Sequence, residues 1–467
     1  MFLQDYAERV RNGDLVIDFI TMEIYQLASN GIMLKGHGTL KIDAFGALLC
    51  NFICTNADNA IAEAFGTTYP INDEDKTQNL RLKAVDINGN TWEAEDFSVT
   101  VFKIKPPFKC SFFLSELVHR HEQNIPVQQE NYLWFESLEP CRIPRNKTNT
   151  IVDSIKGQSF NRNQTDIDLE NCKVSIIKHD DYTTVYANGT FDVDKLFAAL
   201  KFYIGFTSGS MFTACVLTTR TGREMVHHIR SINKKINKTI IPQPVDDLLM
   251  LSKTEWNDPF HFQLLPNIIQ VQKEFPTFFD SSVSQWKRVW QGFNAQQSIT
   301  ALTLTVSIEG LLIDLFIPKL QETGADPIFE KKKEEIIASL KKTEIDTDHL
   351  ETIISSVKRW GNIHANAALK ALNTKGLITA NEVQSWKDLR NSSAHPKYSE
   401  ITLERELKER ARLMRCLTLF YRLNLNIYGY TGAHVVYEPS ETISSMFPAV
   451  KIFDFKRPPS ATVTNYE

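Results

Sequence analysis

The chain lacks most of the short motifs that mark common enzymes. No G-x-x-x-x-G-K-[ST] occurs, which excludes a P-loop; Gly205-Phe-Thr-Ser-Gly209 has no lysine to reach a phosphate. No G-x-G-x-x-G opens a helix after a strand, and no G-x-S-x-G marks a nucleophile elbow. His119-Arg-His121-Glu122 is not a zinc-protease helix, because Ile125 stands where the second histidine of HExxH belongs. The seven cysteines (Cys50, Cys54, Cys110, Cys141, Cys172, Cys215 and Cys416) contain no CxxC, so neither a zinc knuckle nor a thioredoxin-like site is expected. Cys50 and Cys54 sit in an apolar stretch and read as buried thiols. Neither charge is in surplus: 52 Lys+Arg stand against 56 Asp+Glu, a formal net of −4. That excludes a globally basic nucleic-acid binder but not a local basic surface.

Two further absences bear on location. The N-terminus MFLQDYAERVRNGD has no apolar core behind a basic start, so no secretory signal is expected. The longest apolar stretch, Ala301 to Ile317, is interrupted by Glu309 and Asp314 and reads as too short and too charged for a membrane span. The expectation is a cytoplasmic protein that does not engage a membrane.

The 467 residues are 42% hydrophobic, enough for two to four folded domains. Up to about residue 240, β signals dominate. Leu82 to Ile87, then Asn88-Gly89, then Thr91 to Ala94 reads as a hairpin with a two-residue turn. Lys173 to Lys178 and Thr183 to Ala187 read as strands, and Asp194 to Ile204 as a helix. Met211 to Thr218 and Glu224 to Ile229 flank a turn at Thr221-Gly222. Residues 241–281 hold Pro242, Pro244, Pro259, Pro266 and Pro276, which suggests a connector of short elements. Residues 282–430 read as a bundle of five or six helices. Ala301, Leu304, Ile308, Leu311, Leu312 and Leu315 share one helical face. Gly376 closes one helix, and Thr379 with Glu382 opens the next as a capping box. The last long helix carries Leu403, Leu407, Ala411, Met414, Leu417, Tyr421 and Leu425 on one face. Residues 431–467 read as an irregular or short-stranded tail. The expected class is α+β: a β-rich domain over 1–240, divisible into two subdomains, followed by an all-α bundle.

The segment with chemical content is Trp386-Lys-Asp-Leu-Arg390-Asn391-Ser-Ser-Ala-His395-Pro396. Val383, Trp386 and Leu389 mark an apolar helix face, and Arg390, seven residues after Val383, lies on it. An arginine there is either functional or tied to a core carboxylate. Glu309, among Leu302, Val306 and Ile313, is a candidate partner; a rim glutamate is the alternative. His395 is five residues from Arg390, about 140° around a regular helix. Pro396 disfavours the α conformation at His395, so the helix should end or bend there, and that break would turn the imidazole toward the arginine; a plain C-capping histidine is the alternative. Two other R-x4-H matches exist: Arg223 to His228 in a hairpin, and Arg359 to His364 across a glycine between helices. Only the Arg390 match places Asn directly after Arg on a capped helix.

Arg390-Asn391 followed by His395, late in a helical bundle, resembles the R-x4-H motif of HEPN ribonucleases. Ser307-Ile-Glu309-Gly-Leu-Leu-Ile resembles the opening helix of that group. The β-rich half followed by this bundle resembles ApeA-like HEPN proteins of bacterial anti-phage defence. The resemblance implies a metal-independent endoribonuclease acting in abortive infection, with no cofactor. RNA supplies the 2′-OH nucleophile, His395 moves protons near neutral pH and Arg390 stabilises the phosphorane. Asn391 would orient the phosphate or the histidine, and Glu309 would be a third polar group of the site. Implied partners are RNA (tRNA or another cellular RNA), a second copy in a HEPN homodimer or higher oligomer, and a phage-derived trigger read by the N-terminal domain. An inactive HEPN-type interaction or RNA-binding module, and a plain scaffold, are the other readings. Two basic runs offer phosphate contacts: Arg405, Lys408, Arg410, Arg412, Arg415 and Arg422 on the last helix, and Arg220, Arg223, Arg230, Lys234, Lys235 and Lys238.

Overall fold

The computed structural model describes residues 2–447, leaving aside 30, 59–66, 71–73, 102–104, 124–129, 140, 154–156, 233–240, 246–259, 294, 325–326, 343–345, 359–362, 395–401, 431–433 and 438–444. The chain is α+β. It divides into two compact units, Met1–Ile240 with Asp247–Trp256, and Ile241–Asp246 with Asn257–Glu467.

Alternating apolar residues build the first unit. Phe108–Leu114 buries Phe108, Cys110, Phe112 and Leu114 and exposes the residues between them, as a half-buried strand must. Among the described residues fourteen strands join one sheet. Its order is Lys147–Asp153, Gly157–Asp168, Cys172–Lys178, Thr183–Gly189, Asn131–Ser137, Val216–Thr221, Glu224–Arg230, Glu116–Glu122, Thr91–Phe97, Leu80–Asp86, Val16–Tyr25, Met33–Ile42, Leu48–Ala57 and Phe108–Leu114. Neighbouring strands run antiparallel. The ladder is narrowest between Thr91–Phe97 and Glu116–Glu122, where the register is Trp92 with His119 and Glu93 with Val118. On its other side Glu116–Glu122 pairs along its full length with Glu224–Arg230. The narrow joint divides the sheet into lobes of six and eight strands.

Helix α1 (Phe2–Asn12) buries Ala7 and Val10 against this sheet; the β-dominated reading of residues 1–240 had no helix there. Helix α2 (Val193–Ser208) starts at Asp192, whose side chain accepts from the Lys195 backbone N–H at 3.0 Å, and stops at Gly209 with φ +68°. Two hairpin details differ from the sequence reading. Between Leu80–Asp86 and Thr91–Phe97 the connection is four residues, not two. The Asp86 carboxylate accepts from the backbone N–H groups of Asn88 and Asn90, each at 2.9 Å, so an Asx-type loop replaces the tight turn. The strand expected from Met211 begins only at Val216.

The second unit holds nine helices among its described residues, more than the five or six expected. They are α3 (Phe260–Glu274), α4 (Pro276–Phe293), α5 (Gln297–Leu311), α6 (Ile317–Gly324), α7 (Pro327–Leu340), α8 (Thr347–Lys358), α9 (Ala365–Thr374), α10 (Ala380–Ala394) and α11 (Leu403–Ile427). Two of them replace short elements over 260–281 of the expected connector, of which 246–259 lie outside the described residues. Pro276 occupies the first position of α4, where its missing N–H costs nothing, and α3 carries Pro266 within its length. Proline density thus misled about helix length.

A single wide turn, Leu312–Phe316, joins α5 to α6 through a bond from Ile317 N–H to Leu312 C=O. Pro318 explains it: its ring would collide with the carbonyl four residues back, and widening the turn moves that carbonyl aside. The continuous run Gln297–Gln321 is therefore longer than the sequence reading allowed, and is long and apolar enough to cross a membrane by length and composition. Here it buries Leu304, Ile308, Leu311, Leu312, Leu315 and Phe316 inside the helical unit, as a core helix does. Helix α4 approaches it closely: a Cβ on Gly292 would stand 2.7 Å from Thr303, and one on Gly310 would stand 2.5 Å from Gln285. Along α11 the expected apolar face is buried at Leu417, Tyr421 and Leu425 and half-buried at Ala411 and Met414, while Leu403 and Leu407 are exposed. The strand His434–Val436 pairs with Ser445–Phe447.

Candidate active site

Helix α10 is oriented before its arginine is reached. Thr379 and Glu382 form the expected box: the Thr379 N–H donates to Glu382 Oε2 at 2.7 Å, and the Glu382 N–H donates to Thr379 Oγ1 at 3.3 Å. Glu382 Oε2 also accepts from Arg422 Nη1 of α11 at 3.3 Å, and Arg422 Nε donates to His434 Nε2 at 3.2 Å. All three side chains are buried. The neutral imidazole this needs is favoured, since burial, and then the Arg422 charge, hold His434 down at about 3.

Val383, Trp386 and Leu389 then bury the inner face of α10. The Trp386 indole N–H donates to the Thr305 carbonyl of α5 at 3.1 Å. One turn further on, Arg390 Nε donates to Glu309 Oε2 at 2.9 Å. Trp386 and Arg390 are four apart, as are Thr305 and Glu309, so the bonds are successive rungs between helices running in the same sense. The first rung fixes the rotation of α10; the second follows from it. Arg390 and Glu309 are each about one-third exposed, so the pair lies at the edge of the bundle and not in its core.

The four expected site residues are therefore distributed as follows. Arg390 and Glu309 are brought together. Asn391 is exposed and turns to a different side, into a cleft of about 770 Å³ between the C-terminal turns of α10, the start of α5 and the first half of α11. Leu389 and Asn391 both line this cleft, while Arg390 between them points to Glu309. His395 lies outside the described residues; α10 ends at Ala394, next to it. Of the other R-x4-H matches, Arg223 lies in a turn with His228 on the following strand, and His364 is the N-cap position of α9 while Arg359 lies outside the described residues.

The basic runs separate by role. Arg412 Nη2 bonds Asp388 Oδ2 at 2.6 Å and Arg405 Nε bonds Glu409 Oε1 at 3.2 Å, both pairs lining the cleft. Lys408 and Arg410 are exposed, and Arg422 is the buried core cation above. On the other run, Arg230 pairs with Glu116 and Arg223 is exposed; Lys234, Lys235 and Lys238 lie outside the described residues.

One cluster is visible in the sequence only in part, as His119-Arg-His121-Glu122. The imidazoles of His119, His121 and His227 stack with centroids 5.1–5.9 Å apart, beside Trp92 at the narrow joint of the sheet. The signal was HRH on one strand and HH on another, but only strand pairing brings them together. No cluster of His, Cys, Asp or Glu among the described residues has the geometry to hold a metal ion. Comparison with family models, curated proteins and solved structures found no match to this chain.

Proposed function

We propose that the helical unit is a HEPN-type, metal-independent endoribonuclease and that the β-rich unit restrains it until infection, in the manner of ApeA-like defence proteins. The observation that carries this reading is the Arg390–Glu309 rung. Guanidinium has five donors, and Glu309 engages Nε, leaving the terminal nitrogens to face a phosphate. Arg390 is held in place yet still partly exposed, which is how an electrostatic stabiliser is kept ready. In this reading His395 is the proton carrier, Arg390 stabilises the phosphorane and Glu309 positions Arg390. Asn391, facing the cleft, contacts the substrate strand and not the histidine. The protein works in the cytoplasm on tRNA or another cellular RNA, and a phage-derived ligand releases it.

A second copy completes the site in this proposal. Ile299, Leu302 and Ile313 are exposed; with Val306 they run along the side of α5 that carries Glu309, Ile313 standing in the wide turn that continues it. Spacings of three, four and seven residues put them in one stripe. Two such stripes facing each other would bring two Arg390–Glu309 rungs to one cleft.

The same rung favours a second reading, a structural ion pair in a non-catalytic RNA-binding bundle. Cleavage of total RNA in EDTA separates the two. The nuclease reading expects wild type to cut and His395→Ala, equally folded, not to cut; equal activity of the two overturns it. Because a trigger is part of the proposal, toxicity of the same pair during phage infection is measured alongside.

A further inference from the structure

The cleft beside Asn391 shows a form of charge storage that the motif alone does not reveal. Its walls carry two arginines and two carboxylates, Arg405 with Glu409 and Arg412 with Asp388. Each arginine spends one donor nitrogen on its carboxylate, and Asp388 is itself steadied by Gln384 Nε2 at 2.7 Å on its other oxygen. The guanidinium groups are thus set on the wall with further N–H groups in reserve. Asn391, Ser393, Gln297 and Ser298 add uncharged polar groups. At about 770 Å³ the cleft is the size of a small-molecule pocket, enough for one or two nucleotides and far too small for a duplex.

We infer that this cleft seats the single strand flanking the scissile bond, with Arg405 and Arg412 gripping phosphodiester groups in exchange for Glu409 and Asp388. The inference rests on the ribonuclease reading for its substrate class. Bound phosphate takes the place of the carboxylates, so the empty cleft is electrically neutral and grips only when an anion with better geometry arrives. Arg410, exposed on the same helix but outside the cleft, has no part in it.

The test is anisotropy of a fluorescent 2′-O-methyl hexanucleotide, which cannot be cut because its 2′-OH is blocked. Relative to wild type, Arg405→Gln/Arg412→Gln should bind roughly tenfold or more weakly, and its log affinity should fall less steeply with log salt, by about 1.4 for two contacts to a single strand. Asp388→Asn/Glu409→Gln removes the competing carboxylates and should bind more tightly than wild type, a gain that damage to the fold cannot mimic. Arg410→Gln should change affinity least. Equal losses for Arg410→Gln and the double arginine variant, or no gain from the carboxylate variant, overturn the inference. So does a nucleoside monophosphate that competes as well as the hexamer, since that marks a mononucleotide site. Cleavage of the matching RNA and toxicity during phage infection are scored separately: binding as expected with neither cleavage nor toxicity retains the cleft and removes the nuclease, while cleavage with binding indifferent to both arginines does the reverse.

Discussion

His227 stands directly opposite His119 on adjacent strands, with its Nδ1 3.0 Å from Thr218 Oγ1 and the His121 ring stacked on it at 5.2 Å. Burial, reinforced by the neighbouring imidazoles of His121 and His119, holds His227 down at about 3. An unfolded chain protonates the same ring near its ordinary value of about 6.5. Below that value the unfolded state binds the extra proton. Stability from this group is therefore complete above about 6.5 and is lost progressively as pH falls toward 3. Worked at pH 5, the loss is about 2 kcal/mol. Other groups titrate in the same unit. Burial pushes the Glu139 carboxyl up to about 8, which makes the folded state bind more protons between about 4.5 and 8 and acts in the opposite sense. The Glu116 carboxyl, held at about 2 by His228 and Arg230 against its burial, titrates below this window. His121 is shifted down by burial and by His119, and adds to the His227 effect. The wild-type profile is thus a sum of opposed slopes, and the informative quantity is a difference. His227→Gln keeps a polar partner for Thr218 and removes the titration. Urea unfolding is followed at pH 7, 6 and 5, with hydrogen-exchange peptides from Glu116–Glu122 and Glu224–Arg230 assigning the β-unit transition. The variant should lose stability at pH 7 and recover relative to wild type by about 2 kcal/mol at pH 5. A stability difference that stays constant with pH refutes the reasoning.

Three further outcomes follow from the same geometry. Arg422→Met removes the cation beside the buried Glu382 carboxylate and should cost about 3–5 kcal/mol in the helical unit, whereas Arg422→Met/Glu382→Gln should regain much of it; a denaturant double-mutant cycle with no such coupling would contradict the buried ion pair. Glu309→Gln keeps a hydrogen bond to Arg390 Nε but loses the charge, so RNA cleavage should fall severalfold with little change in thermal midpoint, and Arg390→Lys should fall much further because the forked geometry is lost. Gly36→Ala should destabilise the six-strand lobe by about 1–3 kcal/mol or more, because its Cβ would stand 1.9 Å from the Ile53 carbonyl oxygen; unfolding monitored on the β unit measures it.

What could be read from the chain alone was local. The capping box at Thr379, the stop at Gly376 with φ +72°, and the buried face from Leu304 to Leu315 are set by residues within a turn or two of each other, and each stands where its spacing put it. The failures were of two kinds. Proline density points to a connector of short elements, but the position of each proline within a helix decides its cost, so that density hides α3 and the first turn of α4. Asn88-Gly89 reads as a two-residue turn, but the Asp86 carboxylate organises a four-residue loop after its strand. Contacts at long range were not readable at all: the three stacked histidines come from strands about 100 residues apart, and no periodicity marks them.

The long helix α11 makes the same point about the site. Its apolar spacing runs unbroken from Leu403 to Leu425, which reads as one buried face. Burial begins only at Leu413, and the first half leaves Leu403 and Leu407 exposed while Arg405 and Arg412 turn into the cleft. Periodicity reports which side of a helix is apolar; it cannot report how far along the helix a neighbour extends. Here α10 reaches α11 through Arg412–Asp388, and the cleft lies where the two helices and the start of α5 leave room between them. The arginines worth testing are consequently the two that the bundle places on a wall, and the dense run of charge from Arg405 to Arg415 is otherwise a solvated helix face.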